Sequence, residues 1–312
     1  MHPVERHQVR QSTYWASTAE QVNHSGQAAL PATCGELVQG TLDGIPCLVS
    51  CPIARYSLVE VQLRPEPGWE VPVDVPKSGA ALQAGLSYLG LPWYGGTLSI
   101  TSDLPRGRGY GSSTADVGAA LFALGRAAGR PLAPHKVARL AVNVEPSDST
   151  PFPGLALFAH RTGCFYEILG PAPRLAVITI DPGGEVDSLA FNRLDFREAL
   201  ARLAPEHRQA FDLLRQGLRR GEAGAVGEAA TLSARLHEAI LPSPLLEQVL
   251  AAAAEVHAMG VCRAHSGTLS GLLLDPDQSD VQATLKFVAR RLPARVNLSI
   301  YSLVGGGPTD EY

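Results

Sequence analysis

Residues 105–116 read Pro105-Arg106-Gly107-Arg108-Gly109-Tyr110-Gly111-Ser112-Ser113-Thr114-Ala115-Asp116, and the architecture turns on them. Upstream, Thr97–Thr101 alternates, with Leu98 and Ile100 on one face, which predicts a short strand. Downstream, Val117, Leu121, Leu124 and Ala128 recur at a spacing near 3.6 residues, which predicts a helix from Ser113 that stops at Gly129 and Pro131. Between them lies a glycine-rich turn. Glycines at 107, 109 and 111 permit positive φ and let backbone amides come close to a ligand. The helix start adds unpaired N–H groups and a partial positive charge, so the junction suits a polyphosphate. Ser112 and Ser113 stand where hydroxyls cap the helix, touch phosphate or hold a magnesium ion. A surface loop with a serine N-cap is the plainer reading of the same residues. The turn is not a Walker loop, because no Gly-Lys-Ser/Thr follows, and its glycines do not fit G-x-G-x-x-G.

The chain has 312 residues, enough for one large or two moderate domains, and a formal net charge of −4. That balance gives no electrostatic reason to expect nucleic acid or an anionic membrane as partner. Basic residues are mostly arginine; the lysines are Lys77, Lys136 and Lys286. The five cysteines (Cys34, Cys47, Cys51, Cys164, Cys262) form no Cys-x-x-Cys pair, so neither a disulfide framework nor a zinc site is expected. They read as reduced thiols of a cytoplasmic protein. No apolar run approaches the ~20 residues needed to span a bilayer. Residues 1–27 are polar and read as a tail.

Periodicity places strands at Ile45–Ser50 and Tyr56–Leu63 and helices at Gly79–Leu89 and Pro134–Glu145. Beyond about Arg174 the pattern gives a strand at Leu175–Ile180, helix across 195–240 and a helix at Pro244–Met259. A strand–loop–strand around the glycines near 267, a helix at Asp280–Arg291 and a strand at Val296–Val304 complete it. This order predicts an α+β layered fold rather than a doubly wound parallel sheet.

Three segments carry a resemblance. Pro105-x-x-x-Gly109-Tyr-Gly111-Ser112-Ser113-Thr114 resembles the phosphate-binding motif of the GHMP kinases. Pro31-Ala-Thr-Cys-Gly-Glu-Leu-Val-Gln-Gly40 is similar to their N-terminal motif, and Ala264-His-Ser-Gly-Thr-Leu-Ser-Gly271 to their third, glycine-rich motif. Within the family, the first motif together with Glu145-Pro-Ser-Asp-Ser149 and Phe152-Pro-Gly-Leu-Ala-Leu-Phe158 looks closest to the L-threonine kinases of cobalamin synthesis. The resemblance implies two domains, an N-terminal S5-like domain over residues 28–170 and a C-terminal ferredoxin-like domain over 171–312, with the active site between them. It implies ATP and Mg²⁺ as cofactors, L-threonine as substrate and a possible homodimer. Homoserine kinase, another small-molecule kinase of the family, or a nucleotide-binding regulator that has lost catalysis are the alternatives.

A small-molecule kinase must cradle the triphosphate, hold magnesium, place a hydroxyl and neutralise the moving phosphoryl group. Residues 105–114 supply the cradle, with Arg106 and Arg108 adding charge or merely facing solvent. The resemblance makes Ser112 and Glu145 the magnesium pair; a helix-end surface glutamate is the alternative for Glu145. Asp148 corresponds to the family's acidic position and either takes the hydroxyl proton or serves as an Asx-turn residue. Cys34, Glu36, Gln39, His265, Ser266 and Gly267 stand as substrate-side candidates. For the substrate's carboxylate, Arg55 and Arg161 remain open.

Overall fold

A computed structural model describes residues 24–310 apart from 185, 187–190 and 192, so most of the polar tail expected at 1–27 lies outside the described residues. The backbone of the fold is one long hairpin. Strand β1 (Ser25–Leu42) turns at Asp43-Gly44 into β2 (Ile45–Arg64), with Leu42 opposite Ile45. Both turn residues have positive φ (50° and 77°), which an Asp-Gly pair tolerates and a two-residue hairpin needs. The strands predicted separately at 45–50 and 56–63 are therefore one. The pairing shifts register near Pro31, Thr33 and Glu36, and these irregularities lie in the first sequence motif.

Strands β3 (Trp69–Glu70) and β4 (Gly95–Thr101) extend the sheet on one side of the hairpin. β5 (Leu155–Phe158) and β6 (Tyr166–Gly170), neither foreseen, branch from β2. On the other side come β8 (Gly260–Arg263), β9 (Ser270–Leu274), β7 (Ala176–Asp181) and β10 (Asn297–Ser302), giving ten strands in one sheet. Among the described pairs only β3–β4 is parallel, as an α+β fold requires. The two halves of the chain meet in the sheet at one residue pair, Glu36 opposite Arg263. Residues beyond β10 cross back: Ala29 and Thr309 exchange backbone bonds at 3.3 and 3.0 Å, and Gly306 N–H donates to Gly154 at 2.8 Å.

Helix α1 (Pro76–Leu89) begins three residues earlier than its pattern indicated. α2 (Ser112–Ala127) is buried at 14 of 16 positions. One face packs on the hairpin, where Gly118 meets Leu30; the other takes α1, whose Gly85 lies against Leu121 and Leu124. α3 (Pro134–Val142) ends before Glu145, which sits in the turn beyond it. The helical region predicted across 195–240 breaks into Arg197–Arg202, Ala204–Arg220 and Ala223–Leu236, with a 3₁₀ turn at His237–Ala239. Left-handed Gly221 ends the second of these. The following helix runs Leu246–Glu255 and the last Val281–Arg291.

Alternation in β7 and β9 sends neighbouring residues into two cores. Val177 and Leu273 join Leu30, Leu121 and Phe211 in the larger one. Ile178, Leu272 and Leu274 join Leu246, Val249 and Val288 in the smaller. Helix Ala223–Leu236 reaches β8 through bare backbone: a Cβ on Gly227 would lie 2.0 Å from the Met259 carbonyl oxygen. Gly227→Val is expected to destabilise the protein by about 3 kcal/mol or more, the upper range for overpacking, because the obstacle is main chain. An unchanged unfolding midpoint in urea would contradict this contact. Among the described residues no helix is long and apolar enough to cross a membrane. All five cysteines are free.

Candidate active site

The glycine-rich turn between β4 and α2 hangs from its neighbours by its carbonyl oxygens. Val186 N–H donates to Gly107 at 2.8 Å, Leu269 N–H to Arg108 at 2.9 Å, Gly35 N–H to Gly109 at 3.2 Å and Thr33 N–H to Tyr110 at 2.8 Å. Ala115 N–H closes the first helical turn on Gly111 at 2.9 Å. With these carbonyls engaged outward, no group among the described residues accepts from the amides of Gly109 to Ser113. Positive φ at Gly107, Gly109 and Gly111 (68°, 103°, 64°) makes that arrangement possible. The result is a nest of free amides at a helix start, an anion receptor by geometry. The third motif lies flat on it; a Cβ on Gly267 would come within 2.4 Å of Gly109 N.

Three charged or polar side chains meet at the mouth of the nest. Ser113 Oγ donates to Glu145 Oε1, and Lys77 Nζ lies 2.5 Å from Glu145 Oε2. The hydroxyl that meets Glu145 is thus that of Ser113, not the expected Ser112, since successive helix positions point about 100° apart. A hydroxyl and a carboxylate oxygen are the donors magnesium takes alongside nucleotide phosphates. The Lys77 ammonium already resting on Glu145 shows that the position favours a cation. No cluster of three or more His, Cys, Asp or Glu suited to a metal exists among the described residues, so a metal here would draw its other ligands from phosphate and water.

Asp148 faces the nest from the loop after α3. Its backbone N–H donates to Thr114 Oγ1 at 3.1 Å. Burial pushes its carboxyl up to about 6; a hydrogen bond between the Asp148 and Thr114 side chains opposes the shift and the Glu145 charge adds to it. Glu36 stands across the same cleft, buried, with Oε2 unpartnered among the described residues. Burial and then the Asp148 charge hold it well above the usual carboxylate range. A Cβ on Gly111 would lie 2.4 Å from Asp148 Oδ2 and 2.9 Å from Thr33 Oγ1, at φ +64°. Gly111→Ala is therefore expected to shift Asp148 and lower kcat/KM about 100-fold, the scale of a displaced catalytic group. Wild-type kinetics in that variant would disprove the contact.

The cleft of about 110 Å³ also touches Ser112, His160, His265 and Ser266. A second cleft of about 250 Å³ adjoins it under the start of α1, beside Asp74, Lys77, Ser78, Arg106 and Asp116. Other expected residues lie elsewhere. Cys34 does not reach the cleft: its buried Sγ points to the Ser270 carbonyl at 3.5 Å, between β1 and β9. Gln39 is buried behind His265. Arg106 turns to Asp74, Arg108 to the buried Asp181 at 3.1 Å and Arg55 to Asp103 at 3.0 Å. Pro105 precedes the nest, and buried Tyr110 packs beneath it. Lys77, Thr33 and His160 were not foreseen. Lys77 had one signal, a lysine rare in this chain beside the helix-starting Pro76.

An amide nest flanked by a hydroxyl, two carboxylates and an ammonium is the equipment of a phosphotransferase. The fold agrees. The chain superposes on Lactococcus lactis galactokinase complexed with galactose at a TM-score of 0.71 and 16% identity, covering 94% of this chain and 97% of that one. It superposes on a protein solved in complex with MVAPP, AMPPCP and magnesium at 0.65 and 17% identity, covering 91% and 98%. Residues 78–152 match the GHMP kinases N terminal domain. The L-threonine kinase of Salmonella typhimurium is 32% identical over 257 residues, 81% of this chain and 84% of that protein. The chain belongs to the GHMP kinase family and is a small-molecule kinase; enzymes of this family use ATP.

Proposed function

We propose that the protein transfers the γ-phosphoryl group of ATP to the side-chain hydroxyl of L-threonine, giving O-phospho-L-threonine for the aminopropanol linker of cobalamin. The observation that carries the reaction is the row of outward-tied carbonyls, which leaves the amides of Gly109 to Ser113 to grip phosphate oxygens. The substrate reading draws on the likeness to the L-threonine kinases. In this reading the nucleoside occupies the cleft beside Lys77 and Asp116, and its phosphates enter the nest. Ser113 Oγ and Glu145 would hold magnesium, which when bound would offset the charge on the phosphates. Lys77 adds a second positive charge at the same oxygens. Asp148, as its carboxylate, orients the threonine hydroxyl and takes its proton as the new O–P bond forms and the bond from the γ-phosphorus to the bridging oxygen of ADP breaks.

A coupled ADP assay over L-threonine, L-serine, L-homoserine and galactose tests this. L-threonine should be turned over with the highest kcat/KM; no ADP release with L-threonine would end the proposal.

A further inference from the structure

Histidines 160, 207, 237 and 265 gather at the end of the cleft away from Lys77, around a small recess behind Asp148 and Glu36. Their hydrogen bonds determine where one proton lies. The side-chain amide nitrogen of Gln39 donates to the Arg263 carbonyl at 3.4 Å. Its amide oxygen therefore faces the other way, and His265 Nδ1 lies 2.6 Å from it. An amide oxygen only accepts, so Nδ1 carries the proton. In a neutral imidazole, Nε2 is then a bare lone pair. That atom is buried and has no partner among the described residues.

The ring's surroundings keep it neutral. His160 packs edge-on at 4.8 Å, His237 lies at 5.4 Å and Phe191 stands perpendicular at 5.5 Å. Burial pushes His265 down to about 4, and the charges of Arg161 and Arg263 act in the same direction. His237 Nε2 fixes the backbone from behind, 2.8 Å from the His265 carbonyl. Arg263 is occupied by Glu238 and by the Leu241 carbonyl at 2.7 Å. The wall of the main cleft contains the carboxyl groups of Glu36 and Asp148, and the one arginine lining the recess among the described residues is Arg161.

We infer that His265 recognises the ammonium group of the amino-acid substrate through its unprotonated Nε2, and that Gln39 is the positioning residue that fixes this tautomer. The inference rests on the reading of the substrate as an α-amino acid. With the hydroxyl held at Asp148, the ammonium on the adjacent carbon faces Glu36 and His265. A lone pair and a neighbouring carboxylate together accept from an ammonium and reject an analogue that lacks one, because the buried acceptor is then left unpaired.

The test compares L-threonine with 3-hydroxybutanoate, which keeps hydroxyl and carboxylate but has no ammonium. Wild-type protein should prefer L-threonine. His265→Leu should cut kcat/KM for L-threonine about 10- to 100-fold, the scale of a hydrogen bond to a charged group, and leave 3-hydroxybutanoate nearly unchanged. Gln39→Leu should act in the same direction. Equal losses on both substrates would mean that Nε2 serves the hydroxyl or only the fold, and would overturn the inference. Threonine turnover with undiminished preference in His265→Leu would overturn it while leaving the proposed function standing. A wild-type enzyme that phosphorylates no amino acid would overturn both.

A second readout does not depend on the variants' activity. In ¹⁵N-histidine-labelled protein, the ring assigned by its loss in His265→Leu should show a protonated Nδ1 and a bare Nε2. The Nε2 signal should move when L-threonine is added with the ATP analogue AMPPCP. A protonated Nε2, or a signal indifferent to L-threonine, would refute the assignment.

Discussion

Asp148→Asn should lower turnover of ATP and L-threonine by about 10²- to 10⁴-fold while ADP affinity changes little. The amides proposed to grip the phosphates belong to residues 109–113, and the Asp148 side chain lies beside Gly111 without accepting from any of them. Its carboxyl titrates near 6, raised first by burial, so wild-type turnover should also fall as pH drops through about 6. The same shift has an opposite consequence for stability. An unfolded aspartate titrates near 4, so the folded protein binds this proton more tightly. Between about pH 4 and pH 6 the folded state loses stability as pH rises. Asparagine carries no charge to desolvate. The Tm gain of Asp148→Asn over wild type should be small at about pH 4 and reach its full size above pH 6. A gain equal at both ends would contradict the buried carboxylate, and unchanged turnover would remove Asp148 from the chemistry.

Glu145→Gln should reduce turnover about 100-fold or more and raise the magnesium concentration needed for half-maximal rate. Glu145 has a side chain only 7% exposed, with one oxygen on Ser113 and the other on Lys77. Glutamine keeps the shape and one accepting oxygen but removes the charge that attracts both cations. It also leaves the Lys77 ammonium without its counter-charge. Ser113→Ala should show the same magnesium dependence more weakly, and Ser112→Ala should not show it. If Ser112→Ala shifted the magnesium requirement and Ser113→Ala did not, the pairing seen at Glu145 would not be the working one.

What the sequence disclosed divides by distance along the chain. The nest was legible because its parts are neighbours: a strand, glycines that permit positive φ, and a helix. The α+β layering was legible from the order of strands and helices. Features that depend on exact phase were less so. The resemblance pointed to Ser112 as the partner of Glu145, and which of two adjacent serines faces it depends on helix phase, since neighbouring positions point about 100° apart; Ser113 is the one that meets it. A boundary error at α1 left Lys77 in a loop, although it lies in the first helical turn. Pro52 made one strand look like two. Leu245 and Ser243 precede a helix that the apolar pattern started earlier. Contacts of high sequence separation left no local trace. Gln39 and His265 are 226 positions apart, and no periodicity reports that an amide at one fixes a proton at the other. Cys34 had the reverse fault: it stands inside a motif, yet alternation along β1 turns its sulfur into the core.

The crossing of residues 303–309 back over the hairpin bears on how the protein is made. Gly307 N–H donates to the Thr150 carbonyl at 2.8 Å and Gly306 to Gly154, bracing the loop that carries Asp148. A ribosome that has just delivered Asp148 has more than 150 residues still to add before that brace exists, a wait of roughly 10–30 s at bacterial and eukaryotic elongation speeds. Through that interval the nascent chain carries the Asp148 loop without the backbone contacts that hold it.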